Sequence, residues 1–404
     1  MSKKLFLLGG SRYAVPVIKA ARKLGCTVIT CDYLPDNAAH RFSDRYENIS
    51  ITDKDAVLEE AARRHKADGI MSFACDPGVV TAAYVAEKMG LPFQCSHEAA
   101  CILQDKGRFR QFLKENNFNT PNAKKYCGKK IPSGDIDYFH WPVIVKPSDS
   151  AGSKGVAKVA GPSDLGEAID RALQNSISGS FIIEDFLDFS GYHSSADSFS
   201  VDGRMEFITY SDQLFDAEAE NSYVPSKIIW PSTMARKNQD FLSSETQRLA
   251  ELLHMGTGIY NIETCVDRSG RPYLMEVSPR GGGCKIAEIQ QLSMGVQLIE
   301  NEVRRSVGMP LLPVKAHESD GCWCEMVIHA APGQRGIFQR MEIDPAVRDR
   351  YVKKLDFAVQ KGDAVQPFTG ANRALGDMFL RFASRAELDE IMQHSSEWLK
   401  IITA

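Results

Sequence analysis

Two glutamates, Glu263 and Glu276, carry the most specific chemical signal in the sequence. Gly258 to Asp267 reads as a strand, Arg268-Ser269-Gly270-Arg271 as a turn, and Pro272 to Ser278 as the returning strand. A turn centred between Ser269 and Gly270 sets Glu263 directly opposite Glu276, with Cβ atoms about 5 Å apart. Facing carboxylates destabilise a sheet unless something offsets them. A divalent cation is the economical offset, because carboxylate oxygens are the ligands Mg²⁺ prefers when it also holds nucleotide phosphates. A protonated pair or a slipped register is the alternative, and the apolar neighbours Ile262, Leu274 and Val277 favour the cation. The same register places Asn261 opposite Ser278.

A second segment, Lys146-Pro147-Ser148-Asp149-Ser150-Ala151-Gly152-Ser153-Lys154-Gly155-Val156, has the composition of a loop that closes over phosphate oxygens. Small residues let backbone N–H groups approach, hydroxyls donate, and lysine neutralises charge. It is not a Walker loop, since no G-x-x-x-x-G-K-[ST] occurs and a strand follows; an ordinary hairpin turn is the alternative. Near the N-terminus, Gly9-Gly10-Ser11 ends a buried strand without a G-x-G-x-x-G pattern. It is either a tight strand-to-helix turn or, through the backbone N–H groups of Gly10 and Ser11, a holder of a substrate carboxylate or phosphate. Asp76, just past another strand, would line the same crevice.

Lys106 ahead of a helix, Val145-Lys146-Pro147 with its Gly-Ser loop, Phe181-Ile182-Ile183-Glu184-Asp185-Phe186, and Met275-Glu276-Val277-Ser278-Pro279-Arg280 follow one another as in the ATP-grasp superfamily. The chain resembles that family from about Met1 to Gly308, and its tail resembles the family's small C-terminal subdomain. The resemblance implies ATP and Mg²⁺ as cofactors, with Mn²⁺ as a substitute. Lys106 and Lys146 would contact the ATP phosphates under a mobile lid containing Ser153, Lys154 and Gly155. Glu184, Asp185, Phe186 and Leu187 would form the inter-lobe hinge whose backbone binds adenine, with Asp188 or His193 near the ribose. Glu263 and Glu276 would hold the metal, and Arg280 would stabilise an acyl phosphate and its tetrahedral successor. The family usually has asparagine where this chain has Ser278, a shorter and weaker ligand; Asn261, opposite it, is the expected source of the missing amide oxygen.

The lid loop and the run Arg280-Gly281-Gly282-Gly283 are most similar to those of L-amino-acid ligases and carbamoyl phosphate synthetase-like ligases. The implied reaction is phosphorylation of a carboxylate by ATP, then attack of an amine on the acyl phosphate. Gly10, Ser11, Asp76, Arg280 and Gly281 are the expected substrate contacts. Lys227, in the stretch Asn221 to Ser232, is either a partner for a substrate carboxylate or a solvated loop lysine. Bicarbonate activation, as in the carboxylase members, and a nucleotide-binding regulatory protein without turnover are the alternatives.

The elements that must position these groups follow from periodicity. Over the first ninety or so residues strands alternate with helices, which implies a parallel, doubly wound sheet. The expected fold is therefore α/β and α+β: a Rossmann-like N-terminal domain over 1–95, an ATP-grasp two-lobed domain over 96–310, and a small mixed C-terminal subdomain over 311–404. The lid lobe is expected near 127–190 and the core lobe near 191–310. With 404 residues, 43% of them hydrophobic, the chain can bury a sizeable core. Its 48 basic against 52 acidic residues give a net charge of -4, without the basic excess that nucleic acid partners require. The ten cysteines are scattered and form no C-x-x-C pair, which reads as buried thiols in a reducing cytoplasm rather than zinc ligands. No apolar stretch reaches the roughly 18 residues of a membrane span, and the first apolar run is too short for a signal segment. Small-molecule carboxylate and amine substrates are thus the expected partners, and an exposed face of the first domain is a candidate homodimer surface.

Overall fold

A computed structural model of the chain describes residues 2–150 and 152–404, so Ala151 of the Gly-Ser loop lies outside the described residues. The first four strands, β1 (Lys4–Leu8), β2 (Thr27–Cys31), β3 (Arg45–Glu47) and β4 (Gly69–Ser72), form a parallel sheet in the order β3-β2-β1-β4. The helices α1 (Val15–Lys23), α2 (Lys54–Leu58) and α3 (Val79–Met89) connect or follow them. Leu5 to Leu8 are wholly buried, as a parallel strand covered on both faces must be. β3 is too short and polar to show in the sequence pattern. The adjacent carboxyl ends of β1 and β4 bring Gly9-Gly10-Ser11 and Asp76 to one edge of the sheet, the crevice where open α/β sheets bind ligands.

Two capped helices, α4 (His97–Gln104) and α5 (Lys106–Glu115), lead out of this domain; the Ser96 and Asp105 side chains accept their first-turn N–H groups. An antiparallel sheet follows, built from β5 (Ala123–Cys127), β6 (Val143–Pro147), β7 (Ala157–Val159) and β8 (Ser180–Asp185) in the order β5-β8-β6-β7. Helix α6 (Leu165–Gln174) packs its apolar stripe on Val143, Val145, Phe181 and Ile183. Strand alternation then leaves Lys146 and Glu184 together on the other face. This lid sheet starts at Ala123, a few residues ahead of the expected boundary.

The core lobe continues with β9 (Ser194–Val201), β10 (Arg204–Phe207), β11 (Asp212–Phe215), β12 (Pro225–Trp230), α7 (Arg236–Leu252), β13 (Gly258–Val266), β14 (Pro272–Ser278), α8 (Ile286–Met294) and α9 (Leu298–Ser306). Four of these strands form one sheet, β10-β9-β13-β14. The hairpin β11–β12 leaves it and joins the C-terminal part of the chain. There β15 (Cys322–Ile328), β16 (Gly336–Ile343), α10 (Pro345–Tyr351), β17 (Val352–Phe357), β18 (Ala364–Val365), β19 (Gly376–Phe382), α11 (Arg385–Gln393), α12 (Ser395–Trp398) and β20 (Leu399–Thr403) make two sheets, β11-β12-β15-β19-β17 and β18-β16-β20. A boundary at 310/311 therefore divides the sequence without dividing the sheet, since Lys227 to Trp230 pair with Met326 to Trp323. Among the described residues no helix is long and apolar enough to cross a membrane.

The N-terminal sheet meets α9 where Gly69 opens β4: a Cβ at this position would run into the Ser306 carbonyl. Backbone on both sides leaves little room to relax. Gly69→Ala should therefore destabilise the protein by about 1–3 kcal/mol, read as a lower urea midpoint; an unchanged midpoint would show that the two elements separate freely.

Candidate active site

The hairpin β13–β14 is the scaffold of the site. Near its turn, Val266 pairs with Pro272, Cys265 with Tyr273 and Thr264 with Leu274, so the turn is centred on Ser269 and not, as expected, between Ser269 and Gly270. The Asp267 carboxylate fixes this turn by accepting from the N–H groups of Ser269 and Arg271 (2.9 Å each) and from the Tyr273 hydroxyl (2.9 Å). A β-bulge then shifts the register between Thr264 and Glu263, and beyond it Glu263 pairs with Glu276, Ile262 with Val277 and Asn261 with Ser278. Met275 is the extra residue. The expected turn centre is off by half a residue, the bulge restores it, and the two glutamates face each other. On the other edge of β13, Glu263 pairs with Ser195 and Asn261 with Asp197. One face of the sheet thus carries two rows, Glu276–Glu263–Ser195 and Ser278–Asn261–Asp197.

Positive charge reaches these rows from neighbouring elements. Lys106, the first residue of α5, holds its ammonium 3.6 Å from Glu276 Oε2 and donates to the Ser150 carbonyl of the lid loop (3.0 Å). Its backbone N–H donates to the Ser148 carbonyl (2.9 Å), which clips the same loop to the helix start. Burial disfavours the Lys106 ammonium, but Glu276, Asp76 and Glu263 together hold its pKa above the ordinary value. Glu263 makes no hydrogen bond or ion pair among the described residues, and burial followed by the Glu276 charge pushes its carboxyl up to about 7. Two facing carboxylates, one of them unpaired, with a neighbouring amide oxygen, form a donor set that fits Mg²⁺. Ser278 does not add to it: its Oγ donates to Asp76 Oδ1 (3.0 Å) and accepts from Gln104 Nε2 (2.9 Å).

Arg280, just past the end of β14, closes the site against the N-terminal domain. Its Nε and Nη2 bind Asp76 Oδ1 and Oδ2, each at 2.8 Å, in the bidentate geometry that suits a guanidinium. Burial opposes ionisation of Asp76, and Arg280 outweighs it, leaving the carboxyl below the usual range. The Gly281 carbonyl accepts from the Ala74 N–H (3.0 Å), and a side chain at 281 would strike the Phe73 ring. Gly10 donates its N–H to Asp32 Oδ2 (2.8 Å), so that group is already occupied, whereas the buried Ser11 Oγ takes no partner among the described residues.

Lys146 pairs with the buried Glu184, whose other oxygen accepts from Arg110 Nε at 3.0 Å. Burial raises the Glu184 carboxyl, but Arg110 and Lys146 overcome this and bring it down to about 2. Burial, aided by the charges of Arg110 and Lys106, lowers the Lys146 ammonium against the pull of Glu184. Of the expected hinge, Glu184 and Asp185 lie within the β8 ladder, and Asp185 accepts from Asn122 Nδ2 and the His140 N–H (2.9 Å each). The Phe186 N–H donates to the Pro142 carbonyl (3.1 Å), and the Leu187 backbone takes no partner among the described residues. His193 packs against Phe189 with ring centres 3.9 Å apart, and burial together with Lys146 lowers it to about 4, so it is neutral at pH 7. In the lid, Ser153 Oγ donates to the Tyr223 carbonyl (2.9 Å), and Ser153 and Gly155 both have positive φ (57° and 73°). Lys154 makes no ion pair among the described residues. Lys227 stands on β12 in the C-terminal sheet, paired with Met326.

Three further residues belong to this constellation and escape the sequence reading: Arg110, Gln104 and Asp197. Arg110 had a signal, since it falls one turn after Lys106 on a helix face otherwise made of Phe109 and Leu113. Asp197 had a weaker one, as an acid inside a strand of small residues, and Gln104 had none.

The chain carries the domains of the ATP-grasp family. A model of the ATP-grasp N-terminal domain matches residues 18–93, and a model of the ATP-grasp domain matches residues 139–288. Among curated proteins it is similar to a formate-dependent phosphoribosylglycinamide formyltransferase of Synechococcus sp. (strain WH7803), 26% identical over 84% of this chain and 85% of that one. Among solved structures it is similar in fold to an L-amino acid ligase from Bacillus licheniformis (TM-score 0.80, 18% identity, 100% and 99% of the two chains). A phosphoribosylglycinamide synthetase from Anaerococcus prevotii matches similarly (TM-score 0.78, 17% identity, 100% of both chains).

The buried pair of Arg110 and Glu184 yields a stability test with a defined sign. Because the folded state holds Glu184 well below the usual glutamate range, its contribution is complete above that range and is lost as pH falls toward 2. Arg110→Met should cost about 3–5 kcal/mol by taking from the buried carboxylate one of its two cationic partners, Arg110 and Lys146. It should also flatten the acid limb of the pH–stability curve measured by denaturant unfolding. An acid limb unchanged in the variant would remove Glu184 as its source.

Proposed function

We propose that the chain couples a carboxylate to the amine of a small metabolite at the expense of ATP, with the site built from Lys106, Lys146, Glu263, Glu276 and Arg280. The observation that carries this reading is the unpaired Glu263 beside Glu276, with Lys106 alongside and Arg280 anchored close by. A carboxylate oxygen would attack the γ-phosphorus of ATP as ADP leaves, and the amine nitrogen would then attack the acyl carbon as phosphate leaves. Charge neutralisation and positioning supply most of the catalysis in such steps. Mg²⁺ held by Glu263, Glu276 and the Asn261 amide oxygen would neutralise phosphate charge. Lys146 would turn from Glu184 to the phosphates, and its depressed pKa reflects how little water surrounds it. Arg280, locked to Asp76, would present its remaining N–H to the oxygens of the acyl phosphate. The lid, through Ser153 and Lys154, would exclude water from an intermediate that water destroys. The Leu187 backbone supports an adenine contact.

The curated relative makes formate and phosphoribosylglycinamide the first substrate pair to try, and the fold likeness adds pairs of amino acids. Release of ADP should require both a carboxylate and an amine. Release triggered by bicarbonate alone would favour the carboxylase alternative, and no release with any pair would favour a binding protein. Lys146→Ala should weaken ATP binding by about 1.5–3 kcal/mol, the value of a charge-assisted contact. Glu276→Gln should leave the fold intact and nearly abolish ADP formation. Wild-type affinity or turnover in these variants would remove the corresponding residue from the site.

A further inference from the structure

The row Ser278–Asn261–Asp197 lies beside the two glutamates on the same sheet face. The Asn261 amide makes all of its hydrogen bonds through Nδ2, and all toward β9: to Asp197 Oδ1 at 3.0 Å, and to Ser195 Oγ and the Ala196 carbonyl at 3.5 Å. The Gly282 N–H donates to the same Asp197 Oδ1 (2.8 Å), which marks that oxygen as an acceptor, and the Ala196 carbonyl can only accept, so these partners fix which end of the amide faces them. The Asn261 Oδ1 is left turned from β9, without a hydrogen bond among the described residues. Glu263, two positions along the same strand, is unpaired as well.

We propose that Asp197 is a positioning residue for the metal site: by holding Nδ2, it presents the Asn261 oxygen as the ligand that Ser278 cannot supply. Ser278 is committed to Asp76 and Gln104, so its hydroxyl oxygen is already engaged. Asp197 is itself held firmly. Its Oδ1 also accepts from the Gly282 N–H (2.8 Å), while the Gln290 side chain from α8 clamps its backbone N–H (3.3 Å) and carbonyl (2.8 Å). Its second oxygen is fully buried and unpartnered among the described residues, an unfavourable arrangement that the contacts of Oδ1 must outweigh. Gly282 makes room for the arrangement: a Cβ there would lie 2.7 Å from Asn261 Nδ2 and 3.0 Å from Asp197 Oδ1. Carboxylates that orient a metal ligand from behind commonly matter to affinity nearly as much as the ligand does.

The inference rests on the reading of Glu263 and Glu276 as a divalent-cation site, and one experiment separates the two. Mn²⁺ binding to the full chain with saturating ADP is measured by electron paramagnetic resonance of the unbound ion. Glu276→Gln should lose binding; if it binds as wild type does, the metal site itself is wrong. Asn261→Ala and Asp197→Asn should each weaken Mn²⁺ about tenfold, and the double variant should be no weaker than either single one, because both act through one oxygen. Ser278→Asn should restore affinity in both backgrounds, which repair of a merely structural defect would not do. Gly282→Ala, which intrudes on the same contact from the backbone, should behave like Asp197→Asn and serves in its place should that variant fail to fold. Wild-type affinity in Asp197→Asn, full additivity with Asn261→Ala, or no restoration by Ser278→Asn would overturn the proposal while leaving the two-glutamate site standing.

Discussion

Arg110 is the side chain on which the geometry of the site turns. It is buried at the end of the first turn of α5, its Nε binds Glu184 of the lid sheet, and its Nη1 donates to the carbonyl of Met275 at 2.8 Å. Met275 is the bulged residue of β14. A turn centred on Ser269 and continued without a bulge would pair Glu263 with Met275 and send Glu276 to the opposite face, because a one-residue slip inverts every side chain. By holding the bulge, Arg110 puts both glutamates on one face, and through Glu184 it is linked to Lys146. One guanidinium therefore joins the two lobes and fixes the register of the acidic pair.

The charge pattern then dictates how the N-terminal domain must dock. Glu263 and Glu276 repel each other in a partly desolvated place, and Lys106 alone offsets part of that. Arg280 adds positive charge at the end of β14, but a buried guanidinium needs its own partner, and Asp76 supplies it from the tip of β4. Backbone contacts follow the same path, with the Gly281 carbonyl bound by Ala74 and the Pro279 carbonyl by the Gln94 amide. The segment Ser278 to Gly281 is thus both the end of the β13–β14 hairpin and the seat of the neighbouring domain. Asp76 is a residue of the domain interface as well as a candidate substrate contact.

Much of this was legible in the sequence because it rests on local periodicity. The βα alternation gave the parallel sheet, the Asp105 cap placed Lys106 at a helix start, and the apolar flanks of Glu263 and Glu276 marked an unusual pair. The pairing of those glutamates follows from strand alternation because two departures from a regular hairpin cancel, a turn centred half a residue earlier and a bulge. Neither is written in the hairpin itself: the turn is set by Asp267 reaching forward to Arg271 and Tyr273, and the bulge by Arg110, more than 160 residues earlier. Contacts of that range leave no mark on a strand pattern. The same holds for the hairpin β11–β12, whose pairing with β15 joins residues about a hundred positions apart.

That hairpin explains why the C-terminal part cannot be treated as an appendage. Its connecting loop is tied to the C-terminal sheet region by Asn221, which donates its N–H to the Phe368 carbonyl (3.3 Å) and its amide to the Thr369 carbonyl (3.2 Å). The loop also accepts the Ser153 hydroxyl of the lid at Tyr223. A lid that rests on this loop rests, two residues further on, on the C-terminal domain. Any displacement of the loop must therefore alter a contact of the Gly-Ser segment, made through one hydroxyl and one carbonyl. Lending a hairpin from the core lobe to the C-terminal sheet makes that link short: Tyr223, which accepts from Ser153, stands two residues from Asn221, which donates to the Phe368 and Thr369 carbonyls.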